Sequence, residues 1–221
     1  MRTRAAYGDE LDHAPLHPEE EAAVARAVPK RGNEFRAGRA CAREALSRLG
    51  RGPVAIPRDT RHGAPVWPDG VVGSITHCQG YRAAAVALVG DILTLGIDAE
   101  PHEPLPDGVI DVIHSTDRER AALAALAGSA PGTHWDRLLF SAKETVYKAW
   151  YPYHRRMLDF TEAELLFQAP EPAAPDRGTY TARLLVPGPL LAEGVGPEVF
   201  TGRWTTRGGL AVTAITVPNG P

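Results

Sequence analysis

The chain has 221 residues, of which 43% are hydrophobic and 23% charged, a composition typical of a globular protein with one large or two small domains. Its formal net charge of −3 argues against a general binder of nucleic acid or of membrane surfaces. The two cysteines, Cys41 and Cys78, form no CxxC pair, and no apolar run approaches membrane-spanning length. We therefore expect a cytoplasmic protein that binds neither nucleic acid nor membrane.

The first part of the chain is predicted to contain two helices and then three strands. In order, we expect a helix over 19–28, a helix over 32–49, a loop over 53–70 and strands over 71–77, 81–89 and 93–100. Pro29 is expected to end the first helix and Gly50 the second. Arginines on the second helix form a stripe beside its apolar face, which is consistent with a surface helix.

The second part is predicted to alternate helices with strands. In order, we expect a helix over 116–126, a loop over 127–132, a helix over 133–150 and strands over 158–167, 179–186, 199–206 and 210–217. Thr116 and Glu119 have the spacing of a capping box, and Tyr151-Pro152 is expected to end the longer helix.

A weak internal repeat relates the two parts. The segment from Gly73 to Gly80 (Gly-Ser-Ile-Thr-x-x-x-Gly) aligns with the segment from Gly202 to Gly209 (Gly-Arg-Trp-Thr-x-x-x-Gly). Either two hairpins merely look alike, or the chain consists of two similar α/β halves with a site at their seam. The repeat alone leaves both interpretations open.

Four residues in the middle of the chain suggest chemistry with a metal. Asp98 and Glu100 lie two apart on a predicted strand, so both carboxylates leave the same face and suit one hard cation. Glu144 and Lys148 lie one turn apart on a predicted helix. Taken singly, the first pair is more often a solvated strand end and the second an exposed salt bridge. Together, three acids and a lysine suit a magnesium-dependent transfer from a pyrophosphate.

Basic residues nearer the N-terminus suggest a site for phosphates. His77 follows Thr76 at a predicted strand end, next to a turn. The second helix begins with basic residues that are able to bind anions by charge-assisted hydrogen bonds. These are Lys30, Arg31, Arg36, Arg39 and Arg43. A solvated basic face is the alternative interpretation.

Four stretches, in this order, carry a resemblance to a known family. They are Lys30-Arg31-x-x-Glu34-Phe35-x-x-Gly38-Arg39, Trp67-Pro68-x-Gly70-Val71-Val72-Gly73-Ser74-Ile75-Thr76-His77-Cys78, Gly96-Ile97-Asp98-Ala99-Glu100-Pro101 and Phe140-Ser141-Ala142-Lys143-Glu144-x-x-Tyr147-Lys148-Ala149. With them the sequence resembles the 4′-phosphopantetheinyl transferases of the large, surfactin-type class. The resemblance is greatest to the subgroup of enterobactin synthase component D, and it covers about half of the chain.

The resemblance implies a fold and a reaction. The fold is α+β, with two similar α/β halves related by pseudo-twofold symmetry, each with a small, mostly antiparallel sheet and a long helix. We place the halves at 1–101 and 102–221. The reaction is that of a holo-[carrier protein] synthase, which moves 4′-phosphopantetheine from coenzyme A to a serine of an apo acyl or peptidyl carrier protein. It also implies Mg²⁺ as cofactor and a monomer, in secondary-metabolite, siderophore or fatty-acid synthesis.

The resemblance also implies roles for individual residues. Asp98, Glu100 and Glu144 match magnesium ligands, Glu144 also the base, and Lys148 the lysine near the leaving phosphate. The residues that match donor-phosphate contacts are Thr76, His77, Lys30, Arg31 and Arg39. Two positions depart from the family pattern. Ala64 replaces a lysine found in some relatives, so a charge there is absent or comes from Arg58 or Arg61, and Ala99 replaces an acid.

Two rival functions and a docking surface complete the expectations. A coenzyme A- or carrier-binding module without catalysis would not need the acid–lysine set, and another phosphoryl enzyme such as a nucleotide hydrolase would need a P-loop or His/Asp-rich motif, neither of which occurs. For the carrier we expect docking on 109–126, with apolar residues flanked by Arg118 and Arg120, unless those apolar residues are core. The Pro-rich loop over 168–178 is the second choice.

Overall fold

The computed structural model describes residues 1–220, which form an α+β fold with two antiparallel sheets, and the predicted fold class is confirmed. The helices are α1 (Pro18–Glu21), α2 (Pro29–Arg48), α3 (Val109–Ile113), α4 (Asp117–Ser129) and α5 (Trp135–His154). The strands are β1 (Arg2–Tyr7), β2 (Val71–Cys78), β3 (Tyr81–Leu88), β4 (Ile92–Pro101), β5 (Ala163–Phe167), β6 (Arg177–Leu184), β7 (Phe200–Arg207) and β8 (Leu210–Pro218).

The chain divides into two compact units. The first comprises Met1–Leu95 together with the residues from Pro218 onward, and the second comprises Gly96–Val217. This division falls inside β4, whereas the sequence predicts two halves that divide after Pro101. The predicted halves remain a prediction.

The first unit is a three-stranded sheet covered by the long helix α2. The strand order is β1-β3-β2, with both neighbouring pairs antiparallel. Helix α2 approaches β2 closely at Gly38, where an added Cβ would lie 3.0 Å from the Ile75 side chain. The apolar core between helix and sheet is small, and its fully buried members include Ala6, Cys41, Leu46, Ile56 and Val86.

The second unit is built on a five-stranded sheet covered by the long helix α5. The strand order is β4-β8-β7-β6-β5, so β4 and β5 are the edge strands. Large aromatic and aliphatic side chains are fully buried in this unit, among them Leu138, Trp150, Tyr180, Phe200 and Ile215. The edge of β5 is covered by an ion pair, because Lys143 donates to Ala163 O (2.9 Å) and Glu119 accepts from Leu165 N (2.7 Å). An edge strand covered in this way has no free backbone groups there to pair with another strand.

The repeat seen in the sequence corresponds to two hairpins of similar construction. Gly73 pairs with Val86 in the β2–β3 hairpin, and Gly202 pairs with Ile215 in the β7–β8 hairpin. In each hairpin the glycine lies under an aromatic ring, which is Trp67 over Gly73 and Tyr180 over Gly202. A Cβ at either glycine would collide with that ring, which explains why both positions lack a side chain.

The predicted helix over 19–28 is wrong beyond its first turn. Helix α1 ends at Glu21, because the buried Glu20 carboxylate turns inward to accept hydrogen bonds from Arg43 (2.8 and 2.9 Å) and from Ile56 N (2.8 Å). Pro29 opens α2 rather than closing the preceding helix. This position suits proline because its missing N–H would have no helical partner there.

Three further predictions in the second part need correction. Helix α5 starts at Trp135 rather than Thr133 and continues through Pro152 to His154. The residues around Pro152 that are buried, Trp150 and Tyr151, hold this last turn in place against the loss of one helical hydrogen bond. The strand predicted over 158–167 is a 3₁₀ turn (Phe160–Glu162) followed by the short β5.

Two elements were not predicted from the sequence. Strand β1 buries only Ala6, and α3 is a single turn of helix, so neither has a readable apolar period. Helix α4 has half of the predicted capping box: Thr116 Oγ1 accepts from Glu119 N (3.1 Å), but the Glu119 carboxylate accepts from Ser115 N and Leu165 N instead of Thr116 N. Across residues 1–220, none of the helices has both the length and the apolar content that a membrane crossing requires.

Candidate active site

The carboxylates of Asp98 and Glu100 lie on one face of β4, together with Gly96. A Cβ at Gly96 would be much closer to Thr145 O than van der Waals contact allows, and 3.1 Å from Ala149 N. Helix α5 therefore packs with its backbone against the backbone of β4. This close approach is possible only at glycine, and it places the next two residues of that strand face beside the helix.

The polar face of α5 supplies the other two predicted residues. Glu144 and Lys148 follow one another by one turn. The rotation of the helix is fixed by a buried hydroxyl cluster, in which Thr213 Oγ1 of β8 lies 2.9 Å from Ser141 Oγ and 2.7 Å from Thr145 Oγ1. Thr145 and Ser141 are fully buried, so the neighbouring Glu144 is held at the border of the packed face.

Lys148 joins the helix to the strand. Its Nζ donates to Asp98 Oδ1 at 2.6 Å and to Ile97 O at 3.3 Å. Asp98 is 3% exposed, whereas the Lys148 side chain is 24% exposed. A short, charge-assisted bond to a buried carboxylate fixes the ammonium group at the site.

A second cation, Arg137, faces Glu100, the second of the two carboxylates on β4. Its Nη1 lies 3.3 Å from Glu100 Oε2, and its other nitrogens donate to Glu103 O (3.0 Å) and Pro104 O (2.9 Å). Arg137 is not among the site residues predicted from the sequence. A signal was present, because residues seven apart share a helix face and Arg137 lies seven before Glu144.

Two acids of this site, Glu100 and Glu144, hold their protons more tightly than ordinary carboxyl groups. Burial, with repulsion from Asp98, raises the pKa of Glu100 to about 7, against the opposing effect of Arg137. Burial also raises the pKa of Glu144, although Lys148 counteracts it. Acidic groups crowded in a poorly hydrated place are stabilised when a cation neutralises them.

These acids have the chemistry of a magnesium site. Carboxylate oxygens are the ligands that Mg²⁺ prefers, and Asp98, Glu100 and Glu144 supply them from two rigid elements. In the part of the chain that the structure describes, no group of three or more His, Cys, Asp or Glu side chains already has the arrangement of a metal site. Asp98 and Glu100 are instead turned toward Lys148 and Arg137. The assignment of these three acids as ligands remains a prediction.

The first unit brings two of its predicted residues together. Arg31 Nη1 lies 2.5 Å from His77 Nε2, and Glu34 Oε2 lies 3.5 Å from both Arg31 Nη1 and His77 Nδ1. The side chain of Arg31 is half exposed and that of His77 one-third exposed. Both therefore face solvent beside the first turn of α2, where unpaired backbone N–H groups favour anions.

The other three predicted phosphate contacts have different surroundings. Lys30 is exposed at the second position of α2, as a phosphate contact would need. Arg39 is buried, lies over the Phe35 ring and donates to Ile56 O (2.6 Å), and burial lowers its pKa to about 10. Thr76 is buried on the opposite face of β2 from His77. Neither Arg39 nor Thr76 presents its polar group to open solvent.

A groove of about 600 Å³ lies elsewhere in the second unit, between the β7–β8 hairpin and the Pro-rich loop after β5. Arg177, Arg203 and Arg207 are among the residues that line it. None of the predicted site residues lines this groove. The predicted site residues therefore lie outside this groove.

Two family models match the chain in succession. The model for the 4′-phosphopantetheinyl transferase N-terminal domain matches residues 19–87, and the model for the 4′-phosphopantetheinyl transferase superfamily matches residues 94–184. The first match includes the Arg31–His77 contact, and the second includes the α5–β4 contact. Both clusters described above therefore lie inside the matched domains.

Similar proteins agree with these matches. The chain is 58% identical over 217 residues to the 4′-phosphopantetheinyl transferase Svp of Streptomyces mobaraensis, covering 97% of this chain and 85% of the relative. It is 45% identical to the transferase PptT of Mycobacterium tuberculosis, covering 95% and 88%. Enterobactin synthase component D of Salmonella typhi is less similar, at 35% identity over 55% of this chain and 49% of the relative. The predicted family is confirmed: the chain belongs to the 4′-phosphopantetheinyl transferase superfamily, whose reaction attaches phosphopantetheine to apo carrier proteins.

Proposed function

We propose that this chain transfers 4′-phosphopantetheine from coenzyme A to a serine of an apo acyl or peptidyl carrier protein, with Mg²⁺ held by Asp98, Glu100 and Glu144. The observation that supports it best is the α5–β4 contact beside Gly96, where Lys148 binds Asp98 and the charges of Asp98, Glu100 and Glu144 influence one another. Bound Mg²⁺ would neutralise the charge that gathers on the donor pyrophosphate.

Glu144 is the proposed base. The carrier serine oxygen attacks the phosphorus that carries the pantetheine arm, the bond to the bridging pyrophosphate oxygen breaks, and adenosine 3′,5′-bisphosphate leaves with the bonding electron pair. Glu144 accepts the serine proton directly or through one water. Its raised pKa makes it a stronger base than an ordinary carboxylate, which supports this role.

Lys148 is the proposed partner of the leaving group. An ammonium group has three N–H donors, and the described partners of Lys148, Asp98 Oδ1 and Ile97 O, use two of them. The third donor is available for the oxygen that gains charge when the pyrophosphate bond breaks. Because Asp98 anchors the ammonium group, this donor needs little reorganisation to act.

The donor phosphates are proposed to bind at the start of α2. Lys30 and Arg31 are exposed there, and His77 lies within hydrogen-bond distance of Arg31. Charge-assisted bonds from these groups and the helix N-terminus favour phosphate. For Arg39 and Thr76 a supporting role is proposed instead. Arg39 fixes the segment around Ile56 to α2, and Thr76 is a buried residue of β2.

Intact-mass analysis tests the proposal. An apo carrier incubated with this protein, coenzyme A and Mg²⁺ should gain the mass of one phosphopantetheine unit, and EDTA should prevent the gain. Asp98→Ala should remain folded and lose most of the transfer, by several kcal/mol of transition-state stabilisation. A binding module without catalysis would leave the carrier mass unchanged with every carrier tested.

Dephospho-coenzyme A tests the phosphate contacts. If His77 binds the extra phosphate of coenzyme A, wild-type protein should prefer coenzyme A and His77→Ala should lose that preference, with a cost of roughly 1–3 kcal/mol in KM. Equal discrimination by both proteins would remove His77 from the donor site. We also propose a monomer in the cytoplasm, and light scattering of the purified protein tests the monomer.

A further inference from the structure

Arg137 lies in the first turn of α5 and has three acceptors around its guanidinium group. Nη1 donates to Glu100 Oε2 (3.3 Å), Nε to Glu103 O (3.0 Å) and Nη2 to Pro104 O (2.9 Å). The side chain is only 14% exposed. A planar group with three fixed acceptors has little freedom to move toward a substrate.

Asp136 of the same turn and His134, the residue just before α5, hold the same segment. Asp136 Oδ2 accepts from Leu105 N (2.7 Å), and His134 N donates to His102 Nε2 (3.0 Å). The first turn of α5 thus fixes the chain that follows β4 at successive residues. Arg137 is the member of this set that also reaches an acid of the proposed metal site.

We propose that Arg137 is a positioning residue, which holds the Glu100 carboxylate in the orientation that cation binding requires. This inference rests on the proposed function, because it assumes that Glu100 is a ligand. Arg137 contacts only Oε2 of Glu100. The other carboxylate oxygen, Oε1, therefore remains available to bind a cation.

Two effects of Arg137 on a bound cation oppose each other. Its positive charge repels the cation, but that charge is balanced by its ion pair with Glu100. Its orientation of the ligand favours binding, and loss of such an outer contact commonly weakens metal binding ~10–100-fold. Because the contact to Glu100 is long and engages one oxygen only, competition with the cation is weak, and orientation is the larger effect.

The test is Mn²⁺ binding without coenzyme A, measured from the electron paramagnetic resonance signal of free Mn²⁺. Arg137→Ala should bind Mn²⁺ ~10–100-fold more weakly than wild type. Arg183→Ala is the matched control, because Arg183 also lies 3.3 Å from an acid, Glu164, outside the site. It should bind Mn²⁺ like wild type. An unchanged or tighter Kd in folded Arg137→Ala overturns the inference.

A double-mutant cycle separates positioning from a general structural effect. In a Glu100→Ala background, Arg137→Ala should cause no further loss of Mn²⁺ affinity, because the group it orients is gone. An additional loss of the same size in that background would overturn the inference. If Arg137→Ala does not fold, Arg137→Lys replaces it in the cycle, since lysine keeps the charge and loses the fork of donors.

Failure of the inference and failure of the proposed function give different results. If wild type modifies a carrier and binds Mn²⁺ but Arg137→Ala binds it equally well, only the positioning role is wrong. If wild type neither binds Mn²⁺ nor modifies any carrier, the metal assignment is wrong, and the role of Arg137 is overturned with it.

Discussion

The two edges of the five-stranded sheet are each met by a lysine of α5, and the two lysines differ in almost every respect. At the β5 edge, Lys143 is fully enclosed and donates to Phe160 O (2.7 Å) and Ala163 O (2.9 Å), with Glu119 Oε1 at 3.0 Å. At the β4 edge, Lys148 is partly exposed and has Asp98 and Ile97 as described partners. Lys143 thus uses all three of its donors, whereas the described contacts of Lys148 use two.

The acids paired with these lysines differ in the same way. Glu119 is buried, and its oxygens accept from Ser115 N (2.8 Å), Leu165 N (2.7 Å) and Lys143. At the β4 edge, Lys148 faces a group of acids that includes Glu100, whose pKa burial raises to about 7. A buried ion pair with saturated hydrogen bonds indicates an anchor, and an ion pair among further buried acids indicates a site.

Loss of Lys143 should have the largest effect on stability. Lys143→Met leaves the Glu119 carboxylate buried without its cation, which should lower the free energy of unfolding by roughly 3–5 kcal/mol. Lys148→Met is the matched control on the same helix. Because Lys148 is partly exposed, this variant should lose less stability but most of its transfer activity. Urea unfolding and carrier modification measure the two properties, and a larger stability loss in Lys148→Met would reverse the comparison.

Removing the charge of Glu100 should raise the free energy of unfolding, whereas loss of Lys143 should lower it. Its pKa rises from 4.5 to about 7 on folding, so the native state binds the proton more tightly than the unfolded chain. The resulting stability is fully present below pH ~4.5 and is lost as the pH rises through about 7. In EDTA at pH 8, Glu100→Gln should therefore be more stable than wild type, by up to about 3 kcal/mol.

The pH dependence makes this prediction specific. Near pH 4.5 wild type and Glu100→Gln should have the same melting temperature, and the difference should open toward pH 8. Glu119→Gln, at the β5 edge, should be less stable than wild type at pH 8, because it weakens the ion pair with Lys143. If Glu100→Gln were less stable than wild type at pH 8, removal of an acid's charge would have the same effect at both edges of the sheet, and the proposed difference between them would be wrong.

A methyl group at Gly96 should separate the backbones of β4 and α5 at the β4 edge of the sheet. Gly96→Ala forces β4 away from Thr145 O and should cost about 1–3 kcal/mol, as overpacking does. It should also lower transfer, because Asp98 and Lys148 then separate. Gly128→Ala in α4 is the control: nothing lies near its Cβ position, and alanine should add up to ~1 kcal/mol of helix stability. Wild-type activity in Gly96→Ala would mean that the close approach is not needed.

The smallest effect is expected at the carrier surface. Ile113 is buried, whereas Val112 is 67% exposed, so the predicted apolar patch is partly core and partly surface. Arg118 and Arg120 are exposed beside it, each in a long ion pair. Reversing both to Glu should raise the KM for an acidic carrier by about 1 kcal/mol, or roughly fivefold, and reduce its salt dependence.

The KM for coenzyme A should not change in this double variant, which separates carrier docking from donor binding. The KM for the carrier is measured at low and at high salt. Salt should reduce an effect that comes from lost charge contacts, but not one that comes from misfolding of the variant. If the carrier KM is unchanged at low salt, the docking surface lies elsewhere, and the loop over 168–178 is the next candidate.

The contact between Lys148 and Asp98 at the β4 edge could be anticipated from the sequence because the spacings behind it are local. A spacing of two on a strand and of four on a helix already brings Asp98, Glu100, Glu144 and Lys148 into pairs. Only the packing of helix on strand was missing, and Gly96 supplies it. The hairpins were predicted for the same reason, since alternation and a glycine turn suffice.

The β5 edge could not be predicted in this way. Lys143 and Lys148 look alike in the sequence, and which becomes the anchor depends on a strand twenty residues later in the chain. The burial of Arg39 and the continuation of α5 through Pro152 likewise depend on distant packing partners. Tertiary contacts override local propensity in such places.

The composition of the first unit has a consequence for the order of folding. Asn219 donates to Asp91 O (2.9 Å) through its backbone and to Val89 O (3.0 Å) through its side chain, so the last residues belong to the unit that begins the chain. During synthesis these residues are made after Gly96–Val217, so the first unit stays incomplete until the second has been translated. An isolated fragment of residues 1–95 would lack them, and a truncation just before Pro218 would act on the first unit.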